Sequence, residues 1–208
     1  MEATSAPTVI VHVDPSCPFA WITSRWLVEV ERQQPIDVHI RLLSLSVVNE
    51  HRQLDDWYRG FNDAAWAPAR VMAAVVDAHG ELAGRRFYEA FGTRFHVTLG
   101  TADEVDRVAV AADALADADL PADLVEAAAT ECWDDALRTI TRRALEPVGL
   151  DVGVPVVTVD GVSASGPVLS EIPRGRAAVD LLDAVRTLAA QRGFVRFERQ
   201  RVGDLQTA

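Results

Sequence analysis

The sequence predicts an α/β fold in which a β-α-β unit opens the chain, a β-β-α unit closes it, and a block of helices lies between. Three observations carry this. Thr8-Val-Ile-Val-His-Val13 is a short β-branched run ended by Asp14-Pro15, which reads as a buried strand. Ile36, Val38, Ile40 and Leu42 alternate strictly with Asp37, His39 and Arg41, the pattern of a half-buried strand. Asp160-Gly161 joins Pro155–Val159 to Val162–Val168, a strong two-residue hairpin signal.

The remaining elements follow in order. A helix from about Pro18, through Trp21, Ile22, Trp26 and Leu27 to the stop at Gln33-Gln34-Pro35, joins the first two strands by a right-handed crossover. From about Leu54 to Gly149 no strand pattern occurs and Ala-rich helical spacing dominates. Thr101-Ala-Asp-Glu104 reads as a capping box, followed by Val105, Val108, Ala109, Ala112, Leu115 and Ala116 at helical spacing. Leu120-Pro121 starts a further helix, and Thr130 to Glu146 carries Trp133, Leu137, Ile140 and Leu145. The last helix begins near Arg176 and stops at Gly193; Phe194–Phe197 is expected to add a short edge strand or to pack. This order is that of a thioredoxin-like fold with a helical insertion. The expected division is 1–50 and 150–208 for the thioredoxin-like domain and 51–149 for the insertion.

Composition narrows the function. With 208 residues, 49% apolar and 25% charged, the chain is an ordinary globular protein, not a disordered or collagen-like one. A net charge of −11 repels phosphate backbones, so nucleic acid and anionic membrane surfaces are excluded as expected partners. The chain contains no lysine, which removes Schiff-base chemistry. No stretch approaches the roughly 20 apolar residues of a membrane span, and Met1–Pro7 lacks a signal-peptide pattern, so a cytoplasmic location is expected. Cys17 and Cys132 lie far apart and make neither a disulfide framework nor a zinc site, and no metal is expected.

The chemistry concentrates in Asp14-Pro-Ser-Cys-Pro-Phe-Ala-Trp21. Cys17 falls where the first strand gives way to a helix, among unpaired backbone N–H groups and at the positive end of the helix dipole. Both favour the thiolate, the species that attacks disulfides, so a lowered pKa is expected. Pro18 suits the first helical turn. Read alone, Cys17 is equally a buried structural residue. Gly153-Val154-Pro155, at the start of the returning strand, is compatible with a cis bond, and in this topology its loop faces the cysteine.

These blocks resemble a known family. Asp14 to Trp26 looks like the active-site helix of DsbA-like oxidoreductases, and most closely that of the mycothiol-dependent nitroreductase branch. The likeness continues through Ser44–Glu50, Trp66–Val71, Asp151–Pro155 and Gly166–Gly175. The resemblance implies a thioredoxin fold, a low-molecular-weight thiol such as mycothiol as electron donor, Cys17 as nucleophile and Pro155 as the cis-proline. It also implies Phe19, Asn49 and Tyr58 as pocket residues, with Pro18, Trp66 and Val154 contributing to substrate binding and Arg70 in a matching block. One departure stands out: the family motif is Cys-x-x-Cys, and Ala20 stands where the resolving thiol belongs. A mixed disulfide at Cys17 must then be resolved by a thiol from solution, or by Cys132, whose expected place is a buried core position beside Trp133.

The other candidates read as structural. His12 is expected in the core, His39 exposed, and His51, His79 and His96 without ligand spacing. Asp14 serves as a turn starter or as an acid/base beside Cys17, and Arg174 as a solvated surface residue or a partner for an anionic thiol cofactor.

The leading expectation is a monothiol oxidoreductase acting on a small molecule. The alternatives are an isomerase or transferase in which a bound thiol does the chemistry, as in the kappa-class glutathione transferases and hydroxychromene-carboxylate isomerases, or a non-catalytic binding protein. The sequence leaves homodimerisation open.

Overall fold

The computed structural model describes residues 6–99 and 105–208. Strand β1 (Thr8–Val13) runs into helix α1 (Pro18–Gln33), and β2 (Asp37–Leu42) returns parallel to β1, with Val9 opposite Val38 and Val11 opposite Ile40. Strands β3 (Val156–Val159) and β4 (Val162–Ser165) form an antiparallel hairpin, and β3 adds antiparallel to β1. The sheet order is β2-β1-β3-β4. Asp160 and Gly161 both take positive φ, 52° and 79°, as a two-residue turn matched to strand twist requires.

Strand β4 is shorter than the sequence suggests. Gly166, at φ 90°, still bridges Val156 and donates its N–H to the Pro155 carbonyl at 2.9 Å, but Pro167 has no N–H to give, so the regular ladder stops at Ser165 and that one bridge is the last contact. Segment 194–197 neither pairs nor packs: Val195 and Phe197 are 92% and 82% exposed.

Helix α2 (Leu45–Val48) follows β2, and the insertion then runs through α3 (Asp56–His79), α4 (Glu81–Gly92), a π-turn over Thr93–Thr98, α5 (Arg107–Asp117), two 3₁₀ segments (Ala122–Ala129 and Glu131–Trp133) and α6 (Asp134–Leu145). The 101–104 capping box lies outside the described residues. The cap seen on α5 is Asp106, whose carboxylate accepts from Val108 and Ala109 N–H. Gly80, at φ 82°, makes the corner between α3 and α4. The segments that begin at Leu120-Pro121 and at Thr130 are 3₁₀ first, and only α6 is a full helix.

Helix α1 is covered nearly all round. Its buried residues include Ala20, Trp21, Ile22, Trp26 and Leu27, and α7 (Gly175–Ala189) packs on it from the far side. Trp26 is fully buried and its indole N–H donates to the Ala178 carbonyl at 2.9 Å. The insertion also rests on the sheet edge. His39 of β2 bonds Glu81 at the start of α4 and also Asp37, so it is half-buried rather than exposed. His12 is half-buried too. It lies on the face opposite Val9, Val11 and Val13, not in the core with them.

A smaller apolar cluster places the loop before β3. Leu43, Ala144, Leu145 and Val156 pack together, with Val154 against them, and the Thr141 hydroxyl accepts from Ser44 N–H at 3.0 Å. Helix α6 is thereby tied to the end of β2 and to the start of β3.

Candidate active site

The turn Asp14–Cys17 is held by side chains from three directions. Asp14 is fully buried: its Oδ1 accepts from Ser16 N–H at 2.8 Å and its Oδ2 from Leu45 N–H at 2.7 Å. One carboxylate thus closes the turn and fastens it to α2. From the insertion, His96 Nε2 meets the Pro15 carbonyl at 2.9 Å, which requires the Nε2–H tautomer. Arg107 of α5 donates to the Ser16 hydroxyl at 3.1 Å and to the Phe61 carbonyl at 2.9 Å, with its guanidinium between the Phe61 and Phe95 rings.

Cys17 is the N-cap residue of α1; its sulfur makes no capping hydrogen bond, and the Ala20 and Phe19 backbone N–H groups of the first turn act on it only as favourable dipoles. The expectation of a lowered pKa needs correction. The residue is only 5% exposed, and burial pushes its thiol up to about 12. The nearby Asp14 carboxylate adds to that rise, and the two N–H groups offset only part of it. The resting site therefore holds a protonated, covered thiol.

Asp14 itself is shifted up to about 6 by burial, against the pull of its two N–H donors and of Arg107. His96 is pushed down to about 4, again by burial first, and stays neutral at pH 7. A histidine depressed in the folded state contributes stability above pH 6.5 that is lost as pH falls toward 4, on the order of 3 kcal/mol at full loss. His12, also lowered to about 4, acts in the same sense. Asp14, raised from 3.8, acts oppositely, its contribution being lost as pH rises toward 6. His96→Gln keeps a donor for Pro15 and removes the titration. Denaturant unfolding from pH 6.5 down to 4 is expected to give a slope shallower by about one proton in this variant; an unchanged slope would refute a buried neutral His96.

The Val154–Pro155 bond is cis. Because His12 faces Val156 across the ladder, Pro155 lies beyond the last paired position of β3, at the end of β1 that leads into the Cys17 turn. Asn49 and Tyr58 come together: Asn49 Nδ2 donates to Asn62 Oδ1 at 3.0 Å and to the Tyr58 hydroxyl at 3.4 Å. Trp57, Tyr58 and Phe61 cluster as a triangle of near-parallel rings with centroids 5.9 to 6.1 Å apart, and Arg107 links Phe61 to Ser16. Pro18 and Phe19 are half-buried at the start of α1.

Other candidates fall elsewhere. Trp66 packs on the Arg70 and Arg138 guanidinium groups, and Arg70 is held bidentately by Asp134 at 2.7 and 2.8 Å. Trp66, Arg70 and Arg107 share the wall of a cleft of about 310 Å³. Arg174 is exposed and faces Glu29 at 3.8 Å. Cys132 is exposed, not buried: Thr130 caps a three-residue 3₁₀ turn that sends the thiol outward while Trp133 packs inward. Sequence reasoning missed His96 and Arg107. Neither carries a local motif, and each reaches the turn from more than 80 positions away.

A thioredoxin-like sheet, a cysteine capping the helix after β1 and a cis-proline entering β3 define a DsbA-like thiol oxidoreductase class. The family model for the Rv2466c-like proteins, described as mycothiol-dependent nitroreductase Rv2466c, matches residues 16–199, and the chain belongs to that family. It is 32% identical over 188 residues to the uncharacterized protein Rv2286c of Mycobacterium tuberculosis, covering 88% of this chain and 77% of that one. Among solved structures it resembles oxidized DsbA of Mycobacterium tuberculosis, with a TM-score of 0.52 at 15% identity, covering 94% of this chain and 90% of that one. It also resembles a Streptomyces coelicolor protein described as a probable DsbA oxidoreductase, with a TM-score of 0.56 at 14% identity and 94% of each chain covered. At these identities the structures speak for the fold alone.

Proposed function

We propose that the chain is a monothiol oxidoreductase in which Cys17 exchanges with a small thiol of the mycothiol type and acts on a small molecule held beside Phe19, Asn49 and Tyr58. The observation that carries this is the sulfur at the N-cap of α1, beside the backbone N–H groups of the first turn, with Ala20 one turn on. Those donors stabilise a thiolate once the site opens. The thiolate attacks a disulfide of the small-molecule substrate: a new S–S bond forms at Cys17, the substrate's breaks, and the departing thiolate takes up a proton. With alanine at position 20, a molecule of the small thiol attacks the mixed disulfide, freeing Cys17 and leaving as a disulfide with the bound half of the substrate; a second small thiol reduces that disulfide, so the substrate gains two electrons and the two small thiols leave joined as their own disulfide. The family's description supports the choice of thiol. Pro155 and the Val154 backbone lie where they would align the partner in an extended conformation.

The covered thiol favours one second reading. A sulfur held near 12 suits a site where a bound small thiol does the chemistry, as in a thiol-dependent isomerase or transferase.

Incubation with oxidised mycothiol, followed by intact mass, tests the first reading. A single adduct at Cys17 that reduced mycothiol removes is the expected result, and Ala20→Cys is expected to replace release by an internal disulfide. No adduct across the pH range would sink it.

A further inference from the structure

Beyond α7 the chain runs exposed through Asp204, with Val195 and Val202 92% and 91% exposed. It then returns to the body over three residues. Gln206 N–H donates to the Ser170 carbonyl at 2.8 Å. The Thr207 carbonyl accepts from Trp21 Nε1 at 2.9 Å, and the Thr207 hydroxyl donates to the His96 carbonyl at 2.8 Å. Leu205 packs half-buried against the main core.

The surface that receives this segment is also what braces the Cys17 turn. Trp21 lies four residues after Cys17, on the same helix face, with its Cβ tilted back toward the helix start. Its indole stacks on the His96 ring at 5.7 Å, and that ring grips the Pro15 carbonyl. Thr207 therefore fastens both Trp21 and the π-turn carrying His96, the two groups that flank the nucleophile's turn. Ser170, on the loop between β4 and α7, supplies the third anchor.

We propose that the groove between Trp21, the His96 turn and Ser170 is a docking site for an extended segment, that residues 205–207 of this chain are its occupant, and that their release opens Cys17. The groove offers one indole donor and one carbonyl acceptor that pair with the main chain of an extended segment, and a second carbonyl, that of His96, which takes the Thr207 hydroxyl. Three hydrogen bonds and one half-buried leucine are set against the ordering of a long exposed tether, so the docked and released states lie close in free energy. The sense of the opening rests on Cys17 as the working thiol; the docking itself does not.

The test compares the full chain with a variant lacking residues 204–208. Both are alkylated by iodoacetamide at neutral pH and read by peptide mass. Cys132, exposed in the same molecule, is the internal standard. The Cys17/Cys132 rate ratio is expected to rise about tenfold in the shortened chain, and amide exchange over 93–98 to quicken. A synthetic peptide of residues 201–208, added in millimolar excess, is expected to restore the protection. Thr207→Val in the full chain removes one anchor and should raise the ratio by about threefold, which keeps the test open if the shortened chain folds poorly. An unchanged ratio in both variants overturns the proposal, as does a peptide that binds the shortened chain without protecting Cys17. A faster Cys17 that still takes no adduct from oxidised mycothiol upholds the docking and sinks the small-thiol function.

Discussion

Cys17→Ser is expected to abolish mixed-disulfide formation and to cut thiol-dependent turnover by about a thousandfold or more, with the fold intact. The hydroxyl fits where the thiol sat, the thiol makes no capping hydrogen bond that the change would remove, and serine is a favoured N-cap residue, so the start of α1 survives. What it cannot do is ionise near neutral pH or form a disulfide. Cys132→Ser should leave turnover unchanged, because that thiol sits exposed on the insertion. A thiol near 12 also leaves only about one part in 10⁵ as thiolate at pH 7 in the covered state, so reaction proceeds through an opened one. The alkylation rate of Cys17 should therefore keep climbing with pH well above 9. If Cys17→Ser keeps more than about a tenth of the turnover while the melting curve is unchanged, the protein sulfur is not the nucleophile, and the isomerase or transferase reading takes its place.

The strands and the hairpin were legible because their signals are local. A β-branched run stopped by Asp14-Pro15, a strict alternation over 36–42 and an Asp-Gly pair each fix an element from within a few residues. Cys17 was legible as to place and not as to state. A helix terminus lowers a thiol's pKa when solvent or donors surround it, and the sequence shows only the terminus. The groups that brace the Cys17 turn come from far along the chain, His96 on Pro15 and Arg107 on Ser16, and leave no trace in the residues around position 17. Cys132 went the other way. Reading 130–146 as one helix placed it beside a core tryptophan, and the three-per-turn 3₁₀ start rotated it out. The last segment was illegible in both halves. The apolar Phe194–Phe197 stays in water, while the polar Gln206-Thr207 docks, because its anchors are mostly main-chain groups that every residue carries.

The end of α4 gives the largest expected effect on stability from a single methyl group. A Cβ at Gly92 would lie 2.2 and 2.3 Å from two ring carbons of Trp21. No side-chain end can swing aside there. Trp21 is 3% exposed, stacked on His96, tilted against Tyr88 at 5.8 Å and covered by the Arg25 guanidinium at 4.6 Å. Either α4 backs away from α1 or the indole leaves its site, so Gly92→Ala is expected to cost about 3 kcal/mol, near 6–12 °C in melting temperature for a chain of this length. Gly60 in α3 is the counterpart: it is exposed and nothing lies within 4 Å of its Cβ position. Gly60→Ala is expected to stabilise by about 0.5–1 kcal/mol through helix propensity and lost unfolded-state entropy. Thermal unfolding of both variants decides the matter, and equal shifts would show that the α1–α4 contact is looser than these distances. The same displacement has a chemical readout. Trp21 anchors Thr207 through its indole N–H, so a Gly92→Ala chain that still folds should alkylate faster at Cys17 than the unaltered protein. A destabilised chain whose Cys17 stays as slow as before would separate the packing of Trp21 from the covering of the thiol.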